Sequence, residues 1–259
     1  MTKTLPVVDL QALDSVEALA AELMRVGKDP GFFYVVGHGL GDEVAAGMFA
    51  LAESFFDLPS QDKLVYANGS GDLMPKHFFS KAHTGESCRM RLINYPPISQ
   101  LTFPANLPTP EPEDIRAGAH SDYGSLTLLF RQPSDQGGLQ VLRDGTWTDV
   151  PCVPDAIVVN IGDALEFWTA GRLKSTVHRV AFPRTESENV GRLSIPIFIQ
   201  PDRHVILAPM TSGNELVRPG TDIGDEFLEV LRRKGYQNAE PVTSREHLER
   251  RIRATYGKA

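Results

Sequence analysis

Residues 126–161 read LTLLFRQPSDQGGLQVLRDGTWTDVPCVPDAIVVNI. Four short runs stand out, at 126–130, 139–142, 146–150 and 156–161, rich in Leu, Val, Ile, Thr and Trp and bounded by Gly, Pro or Asp. β-Branched and aromatic side chains fit a pleated, half-buried surface, while Gly, Pro and Asp favour turns. The texture continues outward, upstream at 91–95 and downstream at 178–182 and 192–199. From Arg89 to about Ile206 the chain therefore predicts many short strands with frequent turns, the pattern of a sandwich or a jelly-roll barrel. Gly137-Gly138 reads as a tight turn between strands and not as a phosphate loop, because no helix start follows it.

The flanks differ. Leu5-Pro6-Val7-Val8-Asp9-Leu10 predicts a short strand, and Asp14-Ser15 can cap a helix over 16–26 whose Val16, Leu19, Ala20, Leu23 and Met24 recur at helical spacing. A buried strand is expected over 31–36, a second helix over 42–56 and a turn-forming tract over 67–72. Helical, heavily charged segments close the chain at 224–234 and 244–256, and the run 245–253 reads as a solvated helical face. The order of helices, strands, then helices predicts an α+β protein with a β-barrel core. We expect one domain over 1–259: a helical N-terminal part to about 88, a core over about 89–208, and C-terminal helices from about 209.

A chain of 259 residues with 41% hydrophobic and 23% charged residues can bury a substantial core. Its net charge of −7 argues against a general nucleic-acid binder or a binder of anionic membranes. Cys88 and Cys152 lack CxxC spacing and are expected to be unpaired thiols in a reducing cytosol. The N-terminus has no apolar signal core and no run is long enough to span a bilayer, so a cytoplasmic protein acting on a small molecule is expected. No oligomeric state is legible.

The chemistry concentrates in Gly118-Ala119-His120-Ser121-Asp122-Tyr123-Gly124. In an extended segment residues i and i+2 point to one side, so His120 and Asp122 can face one point. An imidazole nitrogen beside a carboxylate oxygen favours a divalent metal such as iron(II). His178 lies several strands downstream, at the separation a barrel needs to bring a third ligand across. Two His and one carboxylate on one face leave positions open for a co-substrate and O2. Fourteen residues after His178 stands Arg192-Leu193-Ser194. A guanidinium fork and a hydroxyl on one face suit a carboxylate, and a buried Arg needs an anionic partner such as a dicarboxylate.

In these segments the sequence resembles the isopenicillin N synthase-like branch of the Fe(II)/2-oxoglutarate dioxygenases. The resemblance is carried, in order, by Leu5-Pro6-Val7-Val8-Asp9-Leu10, the stretch from Gly31 to Gly39, Phe55-Phe56-Asp57-Leu58-Pro59, and Arg91-Leu92-Ile93-Asn94-Tyr95-Pro96-Pro97. It continues through His120-Ser121-Asp122, Gly137-Gly138-Leu139-Gln140-Val141, Asn160-Ile161-Gly162-Asp163, His178-Arg179-Val180 and Arg192-Leu193-Ser194. The resemblance implies a double-stranded β-helix (jelly-roll, cupin-like) core with flanking helices. It implies His120, Asp122 and His178 as ligands of Fe(II), and Arg192 and Ser194 as the clamp for the distal carboxylate of 2-oxoglutarate. Tyr95 matches a position that hydrogen-bonds the co-substrate, and Arg91 and Tyr123 match pocket-lining positions. The implied reaction uses O2 and hydroxylates, desaturates or cyclises a small organic substrate, releasing succinate and CO2.

The pattern departs from the family between Asp62 and Met90, where the chain is shorter than its relatives. Two other readings compete: an iron oxidase that needs no 2-oxoglutarate, of the isopenicillin N synthase or amino-cyclopropane oxidase type, and a non-catalytic metabolite-binding barrel. His38, His77, His83, His204 and His247 are assigned surface or structural roles, Trp147 and Trp168 core or rim positions, and Phe78 and Phe79 either core or pocket.

Overall fold

The structure is a computed structural model that describes residues 4–59, 61, 83–98, 115–210, 224–236 and 239–256. The tract 67–72, His77, Phe78 and Phe79 lie outside the described residues.

The chain opens with β1 (Val7–Asp9), α1 (Val16–Lys28), β2 (Phe32–Val36) and α2 (Asp42–Phe56). As expected, Ser15 caps α1, its Oγ accepting from the Ala18 N–H at 3.1 Å. The strands follow: β3 (Arg89–Met90), β4 (Ile93–Tyr95), β5 (Ile115–His120), β6 (Leu126–Arg131), β7 (Leu139–Arg143), β8 (Thr146–Asp149) and β9 (Ile157–Ile161). Then come α3 (Asp163–Trp168), β10 (His178–Ala181), β11 (Arg192–Ile199), β12 (Ile206–Leu207), α4 (Asp225–Arg233), β13 (Val242–Thr243) and α5 (Ser244–Tyr256).

A seven-stranded sheet runs β1-β2-β9-β6-β11-β3, with β4 also paired to β11, and a four-stranded sheet runs β5-β10-β7-β8. One core cluster joins the two, with Phe32, Tyr34 and Val158 from the large sheet meeting Leu139, Val141 and Val180 from the small one. The alternate residues Phe33, Val35, Ile157 and Val159 face the opposite way and pack with Val26 of α1. Burial on both faces explains why 32–36 and 157–161 are nearly continuous apolar runs and not alternating ones.

The structure departs from the sequence reading in five places. Of the strand expected over 91–95 only 93–95 forms, as β4, with β3 just before it; α3 and the β12–β13 pair were not anticipated, and β5 begins at Ile115. The run 245–253 is not wholly solvated: His247 and Arg251 are buried. The cause is Asp163, which accepts from Arg251 Nε at 2.6 Å and pairs with Lys234, which also pairs with Glu166. Ser121 and Ser175 complete the network by donating to Asp163 at 3.1 and 2.7 Å. Burial alone would raise the Asp163 pKa, but Lys234 and Arg251 bring it down to about 2. Charge periodicity sees the helix but not the distant carboxylate that draws its inner face in.

His247 joins the same end of the molecule. Its ring bonds the Tyr236 hydroxyl and approaches the Tyr123 carbonyl at 3.1 Å, and burial holds its pKa down to about 4. A buried His with a lowered pKa stabilises the fold above the unfolded value of about 6.5, and that contribution is lost as pH falls from there towards 4. Between pH 7 and 4.5 the loss is roughly 2–3 kcal/mol. Urea unfolding at the two pH values should show it, and His247→Gln should flatten the difference. Among the described residues no helix is long and apolar enough to cross a membrane. Cys88 and Cys152 are free.

Candidate active site

β5 ends at His120, Asp122 follows in the turn towards β6, and His178 opens β10. Strands β5 and β10 pair antiparallel with His178 directly opposite His120, and opposite residues share a face. The two imidazoles accordingly stand 4.3 Å apart between ring centroids. Asp122 Oδ1 lies 3.8 Å from His120 Nε2 and 3.7 Å from His178 Nε2. Bonds of about 2 Å to a common ion hold donor atoms within about 4 Å of one another, so these separations fit a divalent cation.

The protein fixes which atoms face that point. His120 Nδ1 donates to the Gly118 carbonyl at 2.7 Å, and His178 Nδ1 to the Thr176 carbonyl at 3.3 Å. Those bonds assign the proton to Nδ1 and leave each Nε2 lone pair free for a metal. Asp122 Oδ2 accepts from Thr127 Oγ1 at 2.6 Å and Asn160 Nδ2 at 2.7 Å, leaving Oδ1 to face the histidines. Thr127 and Asn160 are partners in the β6–β9 ladder, so sheet register alone presents both donors. The Phe32 ring meets His178 edge-on at 5.2 Å. Asp122 and His178 are buried, whereas the His120 side chain is 38% exposed. Burial pushes the His178 pKa below the ordinary imidazole value, against the pull of Asp122. Two nitrogens and one carboxylate oxygen on one face are a donor set suited to iron(II) with open positions.

A second group of buried polar side chains centres on Arg192 of β11. Arg192 pairs with Tyr95 across β11 and β4, while Ser194 pairs with Ile93 on one side and with Arg131 of β6 on the other. The Arg192 guanidinium sits 4.9 Å from the Tyr95 ring centroid. Its Nη1 donates to the Gly137 and Gln136 carbonyls at 2.8 and 3.3 Å. The predicted Gly-Gly turn is thus the element that braces Arg192. At Gly138 φ is +99° and a Cβ would come within 2.6 Å of the Ala181 carbonyl oxygen, so only glycine fits there. Arg192 is 3% exposed, and its Nε has no hydrogen-bond partner among the described residues. Burial and neighbouring Arg131 lower its pKa to about 10, and burial pushes the Tyr95 hydroxyl up.

The structure therefore brings together His120, Asp122 and His178, and separately Arg192, Ser194 and Tyr95. Arg91 stands 5.5 Å from the ring of Phe198, the ladder partner of Thr127. Tyr123 is placed elsewhere: its ring meets the Arg251 guanidinium at 5.6 Å, on the side of α5. His38 approaches the Asp155 carbonyl and His83 the Ser125 hydroxyl, and His204 is exposed. Trp147 stacks under Arg179 at 4.2 Å, and Trp168 packs on the C-terminal cluster. Sequence reasoning assigned no role to Thr127, Asn160 or Arg131. The signal was there: Thr127 and Asn160 are polar residues inside apolar strands, and Arg131 closes one of them.

A family model for the 2OG-Fe(II) oxygenase superfamily matches residues 87–201. A second, for the N-terminal region of non-haem dioxygenases in morphine synthesis, matches residues 5–89. The chain belongs to the 2OG-Fe(II) oxygenase superfamily. The donor set above fits the Fe(II) for which that superfamily is named. A UPF0676 protein of Schizosaccharomyces pombe is 37% identical over 74% of this chain and 51% of its own length. The 1-aminocyclopropane-1-carboxylate oxidase 1 of Cucumis melo is 37% identical over 64% of this chain and 46% of that enzyme. The chain thus spans about half the length of these two relatives. The fold matches a full-length Neurospora crassa protein crystallised with alpha-KG and 5-formyluracil, at a TM-score of 0.75 and 22% identity, covering 97% of this chain and 96% of that one.

Proposed function

We propose that the chain is an iron(II)- and 2-oxoglutarate-dependent oxygenase of one domain, its two large sheets forming the walls of a double-stranded β-helix. Its reaction inserts one atom of O2 into a C–H bond of a small organic substrate and the other into succinate, with CO2 released. Desaturation or ring closure of the substrate is the variant outcome of the same chemistry. The observation that carries this reading is the convergence of His120 Nε2, Asp122 Oδ1 and His178 Nε2.

In this reading those three atoms hold iron, and Arg192, Ser194 and Tyr95 receive the distal carboxylate of 2-oxoglutarate. Bound iron with its 2-oxo acid supplies the activation of O2, for which no side chain has the chemistry. The chain's residues do the placing. Gly118 and Thr176 hold the imidazole protons on Nδ1, Thr127 and Asn160 aim Asp122, and Phe32 packs against His178. The burial of Arg192 strengthens its attraction for an anion by lowering the local dielectric.

The test is anaerobic titration of the protein with Fe(II) and 2-oxoglutarate, following the visible charge-transfer band, and then succinate release coupled to O2 uptake over a substrate panel. Arg192→Ala should weaken 2-oxoglutarate binding by about thirtyfold or more, the usual cost of removing one partner of a buried charge pair. An unchanged affinity would count against the clamp. The 37% identity to the melon oxidase favours a second reading, oxidation without 2-oxoglutarate. O2 uptake with no succinate would select it.

A further inference from the structure

The buried group around Arg192 contains a second positive charge, Arg131. Arg131 ends β6 directly opposite Ser194, so its side chain shares the inward face with Ser194, Arg192 and Tyr95. It is 7% exposed. Its Nη1 donates to the Val150 carbonyl at 2.7 Å, but among the described residues its buried Nε and Nη2 have no hydrogen-bond partner, nor does Nε of Arg192. Among the described residues neither guanidinium has a carboxylate partner within ion-pair distance.

Two buried like charges with three idle donor nitrogens are an expensive arrangement. Each guanidinium loses hydration and Arg131 acts on Arg192 as a like charge, while among the described residues only backbone carbonyls and the Tyr95 ring offset this. Structural arginines in this same chain look different: Arg251 donates to Asp163 at 2.6 Å and to the Lys234 carbonyl at 3.1 Å. The free donors of Arg131 and Arg192 instead point to a missing anion. A carboxylate has two oxygens and about four acceptor sites, enough to take bonds from two forks at once.

We infer that Arg131 is a second cationic anchor for the distal carboxylate of the 2-oxo diacid, which is held between the Arg131 and Arg192 guanidiniums. The inference rests on the reading of Arg192 as that carboxylate's clamp. It assigns a binding role to a residue that the sequence presents only as the end of a strand. It also follows that a carboxylate bound between these two buried like charges stabilises the fold.

The experiment is anaerobic calorimetry of 2-oxoglutarate binding to the Fe(II)-loaded protein, comparing the parent with Arg131→Met, Arg131→Lys and Arg192→Ala. The unfolding temperature of each without 2-oxoglutarate is measured alongside. Arg131→Met should weaken binding about thirtyfold or more, and Arg131→Lys, which keeps the charge but loses the fork, should weaken it less. Ligand-free Arg131→Met should unfold no lower than the parent, because an uncompensated buried charge is gone. An affinity for Arg131→Met within about twofold of the parent overturns the inference. So does weakened binding with a lowered ligand-free unfolding temperature in both Arg131 variants, the signature of a mere brace on Val150. If Arg192→Ala also binds like the parent, the clamp reading itself fails; if only Arg192→Ala is weakened, Arg131 alone is excluded.

Discussion

Asp122→Ala is expected to abolish stoichiometric Fe(II) binding and, with it, iron-dependent turnover. Asp122 supplies the only negative charge of the triad, and its Oδ1 is the atom to which both imidazoles point. Removal leaves two neutral nitrogens as donors and strips Thr127 Oγ1 and Asn160 Nδ2 of the acceptor they share. The graded control is Asn160→Ala. It keeps every metal-ligating atom and removes only one bond that aims the carboxylate, so a loss of roughly 10- to 100-fold in metal affinity is expected. Calorimetric Fe(II) titration without O2 reads both. Full occupancy in Asp122→Ala would refute the ligand assignment, and an Asn160→Ala variant as damaged as Asp122→Ala would show collapse of the site and not misalignment.

The second large effect lies away from the chemistry. Lys234→Met should destabilise the fold by about 3–5 kcal/mol, because it leaves the buried carboxylates of Asp163 and Glu166 facing each other with one cation fewer. For a chain of this size that corresponds to a fall of roughly 10 °C in Tm, measurable by calorimetry. Glu166→Gln in the Lys234→Met background should recover part of the loss, since the surplus negative charge is then removed. A Lys234→Met protein as stable as the parent would mean that Arg251 alone balances Asp163.

The convergence of His120, Asp122 and His178 was legible because its information is local. Two of them sit two residues apart in an extended segment, and the third precedes Arg192-Leu193-Ser194 in a recognisable order. The strands from β6 to β11 were legible for a similar reason, since turn residues punctuate them. What the sequence concealed was pairing at a distance. Asn160 becomes a support for Asp122 only because β9 and β6 align it with Thr127. Arg131 joins the buried group around Arg192 only because it falls opposite Ser194. Lys234 and Arg251 read as surface charges on helices because Asp163, their partner, is 71 and 88 residues away. Tyr123 matches a pocket-lining position of the family, yet its ring meets Arg251 of α5, a helix far along the chain that local sequence does not bring to it.

Ser121 sits between two of the ligands and Ser175 lies just before the third, and both hydroxyls end on the two oxygens of Asp163. The Asp163 N–H also donates to the Asp122 carbonyl at 2.7 Å. A single carboxylate thus rivets the two strand ends that carry His120, Asp122 and His178. Folding itself would hold these three side chains in place, so little of a cation's binding free energy would be consumed in bringing loops together.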